Sequence, residues 1–260
     1  LGDFQIEKII EVAGSAADII LKEPDPIIAR RRSSSDYTTA TDLEVEEYIC
    51  SRLEKLVPEA EIIAEESIGT GITSHCNGPA FIVDPIDGTI NFFHDYKASA
   101  ISIAYMENGK LLHGVVLDPY KKEVFSATRG KGAFLNDEPI YVSKVSEMKD
   151  ALSGFGTSPY NKKEGLKMLA SASRVYESCQ DIRRLGAAAL DLVHVACGRL
   201  DLFFETGLKP WDFYAGMLII QEAGGLCSDW AGQPVEGMPA SDICASNGIL
   251  HPLILRLLYS

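Results

Sequence analysis

The chain has 260 residues, 46% of them hydrophobic and 23% charged, with a formal net charge of −13. Those fractions are typical of folded domains and exclude a disordered or fibrous chain, and the length allows one large domain or two small ones. The acidic balance disfavours direct nucleic-acid contact, because affinity for a phosphate backbone comes from Lys and Arg displacing counterions; an anionic substrate would also be repelled unless a bound cation reversed the local field.

In chain order, Ile6, Ile9, Ile10, Ala13, Ala16, Ala17 and Ile20 recur at helical spacing, which predicts an amphipathic helix over about 4–22, ended by EPDP. RRRSSSDYTTATD then reads as a loop or short hairpin. Val45, Tyr48, Ile49, Leu53 and Leu56 predict a second helix closing at Val57-Pro58, with Thr41 and Glu44 in a capping-box pattern. From Ile62 the chain changes to short apolar runs rich in β-branched and aromatic residues: IIA, FIVD, SISIAYMENGK, LLHGVVLDP and EVFSATRGKGAF. These predict strands, with Asn108-Gly109 and the Gly130/Gly132 pair at tight turns. Beyond Asp150, LSGFG and LDLFFE read as strands and Ser178 to Ile182 as a short one. Helices are predicted from about Lys162 to Ala172, over GAAALDLVHVACG with Gly198 just past its end, and over WDFYAGMLIIQEAGG, stopped by Gly224-Gly225. No linker or repeat interrupts the chain, so residues 1–150 (α+β) and 151–260 (α/β) are expected to pack as halves of a single domain.

The cysteines at 50, 76, 179, 197, 227 and 244 form no C-x-x-C pair, and several sit in apolar stretches. Free thiols and a reducing compartment are expected. No apolar run reaches the ~18 residues that span a bilayer, and LGDFQIEKIIEV does not read as a secretory leader. A cytoplasmic protein outside the membrane is the expectation.

The chemistry concentrates in FIVDPIDGT, where an apolar strand ends in Asp84 and Asp87 around Pro85 and Ile86. Pro85 donates no hydrogen bond and disfavours helix before it, so the Ile86 carbonyl can turn outward between two carboxylates. Carboxylates and carbonyls are the ligands a hard divalent cation takes. Each aspartate alone could equally end a strand or cap a helix. Glu65 and Glu66 in IIAEES and Asp212 in KPWDFYAG also stand at element ends, and such acids would repel one another in one crevice unless cations neutralised them.

DYTTATD, AEES, VDPIDGTINF, DPYKKEVFSATRGKGAFLN, LGAAALDLVHVACGRLDLFFE and LKPWDFYAGMLIIQEAGG together resemble the inositol monophosphatase family across nearly the whole length. The resemblance implies a layered αβαβα sandwich of the sugar-phosphatase type, a homodimer, lithium sensitivity and two or three Mg2+ ions per subunit. It implies that Glu65, Asp84 and the Ile86 carbonyl hold a first metal and Asp84, Asp87 and Asp212 a second, with Glu66 beside the ligands rather than among them. The implied reaction is hydrolysis of a small polyol or sugar phosphate, inositol 1-phosphate first, by direct attack of a metal-activated water that Thr89 and Asp42 orient and deprotonate. Glu65, Thr89 and Asp42 are therefore the expected catalytic residues. Asp87, Gly88, Thr89, Gly186, Ala188, Glu205 and Asp212 are the expected substrate contacts, with Thr157 a looser match. Arg183 and Arg184 could reach a phosphate or merely pair on the surface.

Ala64, Arg31 and Tyr214 depart from the family's pattern. Ala64 replaces a glycine, Arg31 a lysine near the metal loop and Tyr214 a small residue; Tyr214 either fills the core or narrows the crevice. His94 reads as a packing or surface residue, and His75 with Cys76 makes no zinc site. Related activities on the same metal site are fructose-1,6-bisphosphatase, histidinol-phosphate phosphatase and 3′-phosphoadenosine nucleotide phosphatase. A role as a binding partner of the transcription machinery is the non-enzymatic alternative.

Overall fold

The computed structural model describes residues 5–22, 27–31, 33, 37–68 and 78–259. Helix α1 (Ile6–Lys22) buries Ile9, Val12, Ala13, Ala16, Ala17 and Ile20 along one face, the spacing that predicted it. EPDP, expected to end it, lies outside the described residues, as do His75 and Cys76. Strands β1 (Ile28–Arg31) and β2 (Tyr37–Thr39) pair antiparallel as a short hairpin. Helix α2 (Ala40–Leu56) begins earlier than its capping-box reading implied. The cap is Thr39, not Thr41, and its partner is Asp42, not Glu44. Thr39 has the extended backbone a cap requires (φ −85°, ψ 165°), whereas Thr41 is already helical and buried.

The chain continues through β3 (Glu61–Ala64), the one-turn α3 (Glu65–Ile68), β4 (Pro79–Asp87), the short α4 (Thr89–Phe93), β5 (Ala100–Glu107), β6 (Lys110–Asp118), β7 (Glu123–Thr128), β8 (Ala133–Leu135) and β9 (Glu138–Ile140). The strands β3 to β9 form a seven-stranded sheet in sequence order, antiparallel except for the β3–β4 pair. Asn108 and Gly109 both take positive φ at the β5–β6 turn, as the sequence predicts. The second half runs β10 (Leu152–Phe155), α5 (Lys162–Tyr176), β11 (Asp181–Arg183), α6 (Ala188–Ala196), β12 (Leu202–Leu208), α7 (Pro210–Glu222), β13 (Leu226–Asp229), β14 (Ser241–Ser246) and α8 (His251–Tyr259). Its five-stranded sheet has the order β11-β10-β12-β14-β13. α5 runs one turn beyond its predicted end, and β11 begins three residues later than predicted because Glu177, Ser178 and Cys179 fold back onto the end of α5.

Three apolar clusters define the layers. One joins α1 and α2 to the outer face of the seven-stranded sheet, a second fills the space between the sheets around α6 and α7, and a third joins α5 and α8 to the outer face of the five-stranded sheet. The result is the αβαβα sandwich expected. α7 is apolar on nearly every side because sheets enclose it, with Phe213, Met217, Leu218, Ile219 and Ile220 fully buried. Among the described residues no helix is long and apolar enough to cross a membrane.

Candidate active site

The ends of β3, β4 and β12 meet the N-termini of α6 and α7, and the predicted acids come together there. On β4, Asp84 faces Ser102 of β5 while Asp87 faces Ala100, so the strand carries one extra residue at Pro85-Ile86. Pro85 has no N–H for the ladder, which permits this bulge and turns both carboxylates to the crevice. Asp84 Oδ1 accepts the Ile86 N–H at 3.0 Å. Gly88 then takes φ +86°, and a Cβ on it would lie 3.1 Å from both Ala187 Cβ and the Ala98 carbonyl, so the turn into α4 requires glycine.

Asp87 is pinned across the interior, 101 and 102 residues from its partners: Oδ1 accepts the Ala188 N–H at 3.2 Å and Oδ2 the Ala189 N–H at 2.7 Å, at the start of α6. Asp212 stands in the first turn of α7, behind Pro210, and its Oδ2 accepts the Lys209 N–H at 2.7 Å. Glu65 opens α3 directly after β3. Burial pushes all four carboxyls up. Asp87 reaches about 6 against the opposing pull of its backbone donors, and Asp212 about 7, with the Lys209 N–H opposing and the Asp87 charge adding to it. Burial lifts Glu65 and Asp84 well above the usual carboxylate range; the Asp212, Glu66 and Asp42 charges add to it at Glu65, and the Glu65, Asp87 and Asp212 charges at Asp84.

Glu66, beside Glu65, is tied to β2 and α2. Its Oε2 accepts from Thr38 Oγ1 at 2.6 Å, while its N–H donates to Glu46 Oε2 at 2.8 Å. Glu46, buried on α2, also accepts from Ser67 Oγ, so one carboxylate clamps the turn that carries Glu65. One turn earlier on the same face, Asp42 accepts the Thr39 N–H at 2.8 Å and bonds to Thr89 Oγ1 at 3.2 Å. Burial raises the Asp42 carboxyl to about 6, its Thr39 bonds opposing. The Thr89 hydroxyl also lies 3.2 Å from the Ile86 carbonyl, so its single proton chooses between two acceptors.

Among the described residues no three Asp, Glu, His or Cys side chains are drawn up as a finished ligand cage. The donor set nonetheless fits a hard cation. Every donor is oxygen, and the crowding of like charge that raises Glu65 and Asp84 is what a divalent ion would neutralise.

At the far end of the crevice, β12 delivers Glu205, whose carboxyl is pushed up to about 8 by burial, with Asp212 and Asp87 adding and Arg184 opposing. Arg184 Nη2 donates to Thr157 Oγ1 at 3.3 Å. A compartment of about 100 Å³ joins Asp87, Gly88, Thr89, Gly186, Ala188 and Glu205. A wider one of about 580 Å³ shares Thr89, Glu205 and Asp212 with it and adds Tyr37, Thr38, Ser158 and Lys209. Tyr160 lines both. Sequence reasoning missed Tyr160 and Lys209; the position of Lys209, three residues before Asp212, was the available signal.

The remaining predictions separate cleanly. Arg183 pairs with Asp181 on the surface. Tyr214 is buried in the core, and its hydroxyl donates to the Met238 carbonyl at 3.1 Å, so it fills packing space and does not narrow the crevice. His94 is exposed, edge-on to Phe93. Arg31 lies in β1, and its side chain is outside those described. Cys50, Cys179, Cys197, Cys227 and Cys244 are free thiols.

A layered αβαβα sandwich with interior acids gathered at one crevice is the architecture of a sugar-phosphatase-type hydrolase. The model of the inositol monophosphatase family matches residues 5–260, and the chain belongs to that family; it is a phosphatase. It is similar to a Nus factor SuhB of Pseudomonas aeruginosa, 40% identical over 231 residues, 86% of this chain and 84% of the relative. It is also similar to an inositol monophosphatase of Dictyostelium discoideum, 34% identical over 251 residues and 92% of each chain. Among solved structures, an IMPase of Thermotoga maritima superposes with a TM-score of 0.88 at 30% identity, covering 98% of this chain and 96% of that one.

Proposed function

We propose that this chain hydrolyses a small polyol or sugar phosphate, inositol 1-phosphate first among them, as a cytoplasmic, lithium-sensitive enzyme. Glu65, Asp84, the Ile86 carbonyl, Asp87 and Asp212 would hold two or three Mg2+ ions, which when bound shield the phosphate, acidify water and stabilise the departing alkoxide. The observation that carries this reading is the convergence of buried acids from both halves of the chain on a crevice that ends in Glu205 and Thr157, groups suited to sugar hydroxyls. That convergence also supports treating residues 1–260 as one catalytic unit.

The chain's own residues supply the proton path. With the Thr89 hydroxyl donating to Asp42, its lone pairs are free to accept from a water in the crevice, so a proton can pass from water to Thr89 and from Thr89 to Asp42. Asp42, raised to about 6, is mostly ionised at pH 7 yet basic enough to receive it. Gly88 and Thr89 would face the phosphate, and Gly186, Ala188 and Glu205 the polyol. On α5, Leu166, Leu169 and Tyr176 leave an apolar stripe exposed, which supports a homodimer through that face.

Initial rates on inositol 1-phosphate, fructose 1,6-bisphosphate, histidinol phosphate and 3′-phosphoadenosine 5′-phosphate at fixed Mg2+ test the reading. A preference of tenfold or more for inositol 1-phosphate is expected, on the order of one good hydrogen bond. Equal rates on all four would sink it. A second reading, binding to the transcription machinery, is favoured by relatives that bear the name Nus factor SuhB. Under it, Asp84→Asn would preserve cellular function while abolishing hydrolysis.

A further inference from the structure

We infer that Gly156 is a positioning residue for substrate recognition: the side chain absent at this position is the seat of the Glu205 carboxylate. The inference rests on Glu205 as the acceptor for polyol hydroxyls. Phe155 at the end of β10 pairs with Phe204 of β12, and the Gly156 N–H donates to the Phe204 carbonyl at 3.1 Å, which brings Gly156 alongside Glu205. A Cβ at 156 would lie 1.8 Å from Glu205 Oε2, 1.9 Å from Cδ and 2.4 Å from Oε1. Non-bonded atoms approach no closer than about 3 Å, so a side chain at 156 and the carboxylate in its present place exclude each other.

Other crowded glycines behave differently. At Gly114 and Gly225 the nearest atoms are backbone carbonyls, Ala215 O at 2.7 Å and Ser246 O at 2.6 Å, and at Gly216 the obstacle is Leu192 in the core. A side chain at those positions would disrupt packing. Gly186 meets the Arg184 guanidinium at 2.4 Å, but at φ +91°, where alanine is strained. Gly156 lacks a positive φ, and the group it collides with is the end of a flexible side chain that borders open crevice. Alanine there leaves the strand intact and evicts the carboxylate. Glu65, Asp84, Asp87, Asp212 and Thr89 keep their own anchors.

The test compares wild type, G156A, E205A and the double variant in Mg2+ on two probes, inositol 1-phosphate and p-nitrophenyl phosphate, the second offering a phosphate but no polyol hydroxyls. Loss of the hydrogen bonds between Glu205 and the polyol hydroxyls predicts that G156A raises KM for inositol 1-phosphate by about 10- to 100-fold. Its kcat should keep the wild-type order of magnitude, and KM for p-nitrophenyl phosphate should not move. In the E205A background, G156A should add nothing, since no carboxylate remains to displace. Additive effects in the double variant, or an unchanged KM in G156A, would overturn the seat. An unchanged KM in E205A would instead overturn the reading of Glu205. Should G156A melt early, recovery of Tm in G156A/E205A supports the seat, and an equally low Tm in both variants refutes it.

Discussion

Replacing Asp84 by Asn should kill activity and stabilise the metal-free protein, two effects of opposite sign from one charge. Asp84 is buried, and burial and the charges of Glu65, Asp87 and Asp212 raise its carboxyl, so in metal-free protein it either holds a proton or meets like charge. Two like charges about 4 Å apart at an effective dielectric of about 20 repel by roughly 4 kcal/mol, of which relaxation and protonation leave on the order of 1–2 kcal/mol. Asparagine keeps the shape and the Oδ1 acceptor for the Ile86 N–H. In EDTA, the variant should therefore melt a few degrees higher than wild type, since about 1 kcal/mol corresponds to roughly 2–4 °C for a domain of this size. Saturating Mg2+ should raise the wild-type Tm, because an ion at 100 times its Kd adds about 2.7 kcal/mol, and should barely move the variant. The rate constant should fall by about 10³-fold or more, the scale for lost electrostatic stabilisation of a transition state. Differential scanning calorimetry with and without Mg2+, beside phosphate-release rates, reads both effects. Near wild-type hydrolysis at saturating Mg2+, or an Asp84→Asn variant that melts below wild type in EDTA, would refute the reasoning.

Thr89→Ala should lower kcat by about 10²-fold or more with Mg2+ affinity unchanged, while Thr89→Ser retains most of the rate; equal losses in both variants would remove the hydroxyl from the proton path. His194 is lowered to about 4, first by burial and then by Lys121 and Arg199, and its Nε2 is buried with no hydrogen-bond partner among the described residues. Its folded form binds fewer protons than its unfolded form between pH 6.5 and about 4. Its contribution is thus in full effect above 6.5 and is lost as pH falls through that window, by on the order of 3 kcal/mol at most. Urea titrations across the window should be flatter for His194→Gln than for wild type, and parallel curves would count against the claim. Tyr214→Phe loses one buried hydrogen bond and should cost about 1 kcal/mol of stability with KM and kcat unchanged, as measured by Tm and rates on inositol 1-phosphate.

Much of this was readable in one dimension because the groups concerned sit at element ends with local signals. VDPIDGT carries its bulge in Pro85, and Asp212 marks the start of α7 next to Pro210. What could not be read depends on which distant segments meet. The Asp87 carboxylate finds its donors at Ala188 and Ala189, and Glu46 clamps a turn twenty residues on; neither partner leaves a periodic trace. Gly156 is the extreme case, since its role is defined by an atom belonging to residue 205. The strands β13 and β14 escaped prediction because LCSD and SDICAS are short, mixed runs whose pairing, not their composition, makes them strands. The capping box was misplaced by two residues because Thr39 and Thr41 are equally good caps in sequence, and only the β2 hairpin decides which stays extended.

The central helix layer explains how so many acids can share one crevice before any cation arrives. α6 and α7 both direct their N-termini and the positive ends of their dipoles at it: the Ala188 and Ala189 N–H groups at the start of α6 donate to Asp87, and the Lys209 N–H at the cap of α7 donates to Asp212. Such contacts contribute about 0.3–1 kcal/mol each, rising towards 2 when partly buried, less than the repulsion they oppose. The difference is met by burial: Phe213, Met217, Leu218, Ile219 and Ile220 alone contribute about 1.5–3 kcal/mol each when fully enclosed, so α7 cannot swing away to separate the charges. A helix made apolar on all sides by the two sheets thus keeps Asp212 facing Asp87 at a net electrostatic cost. Held there, the acids relieve their repulsion by taking up protons, as the raised carboxyls do, or by taking up cations.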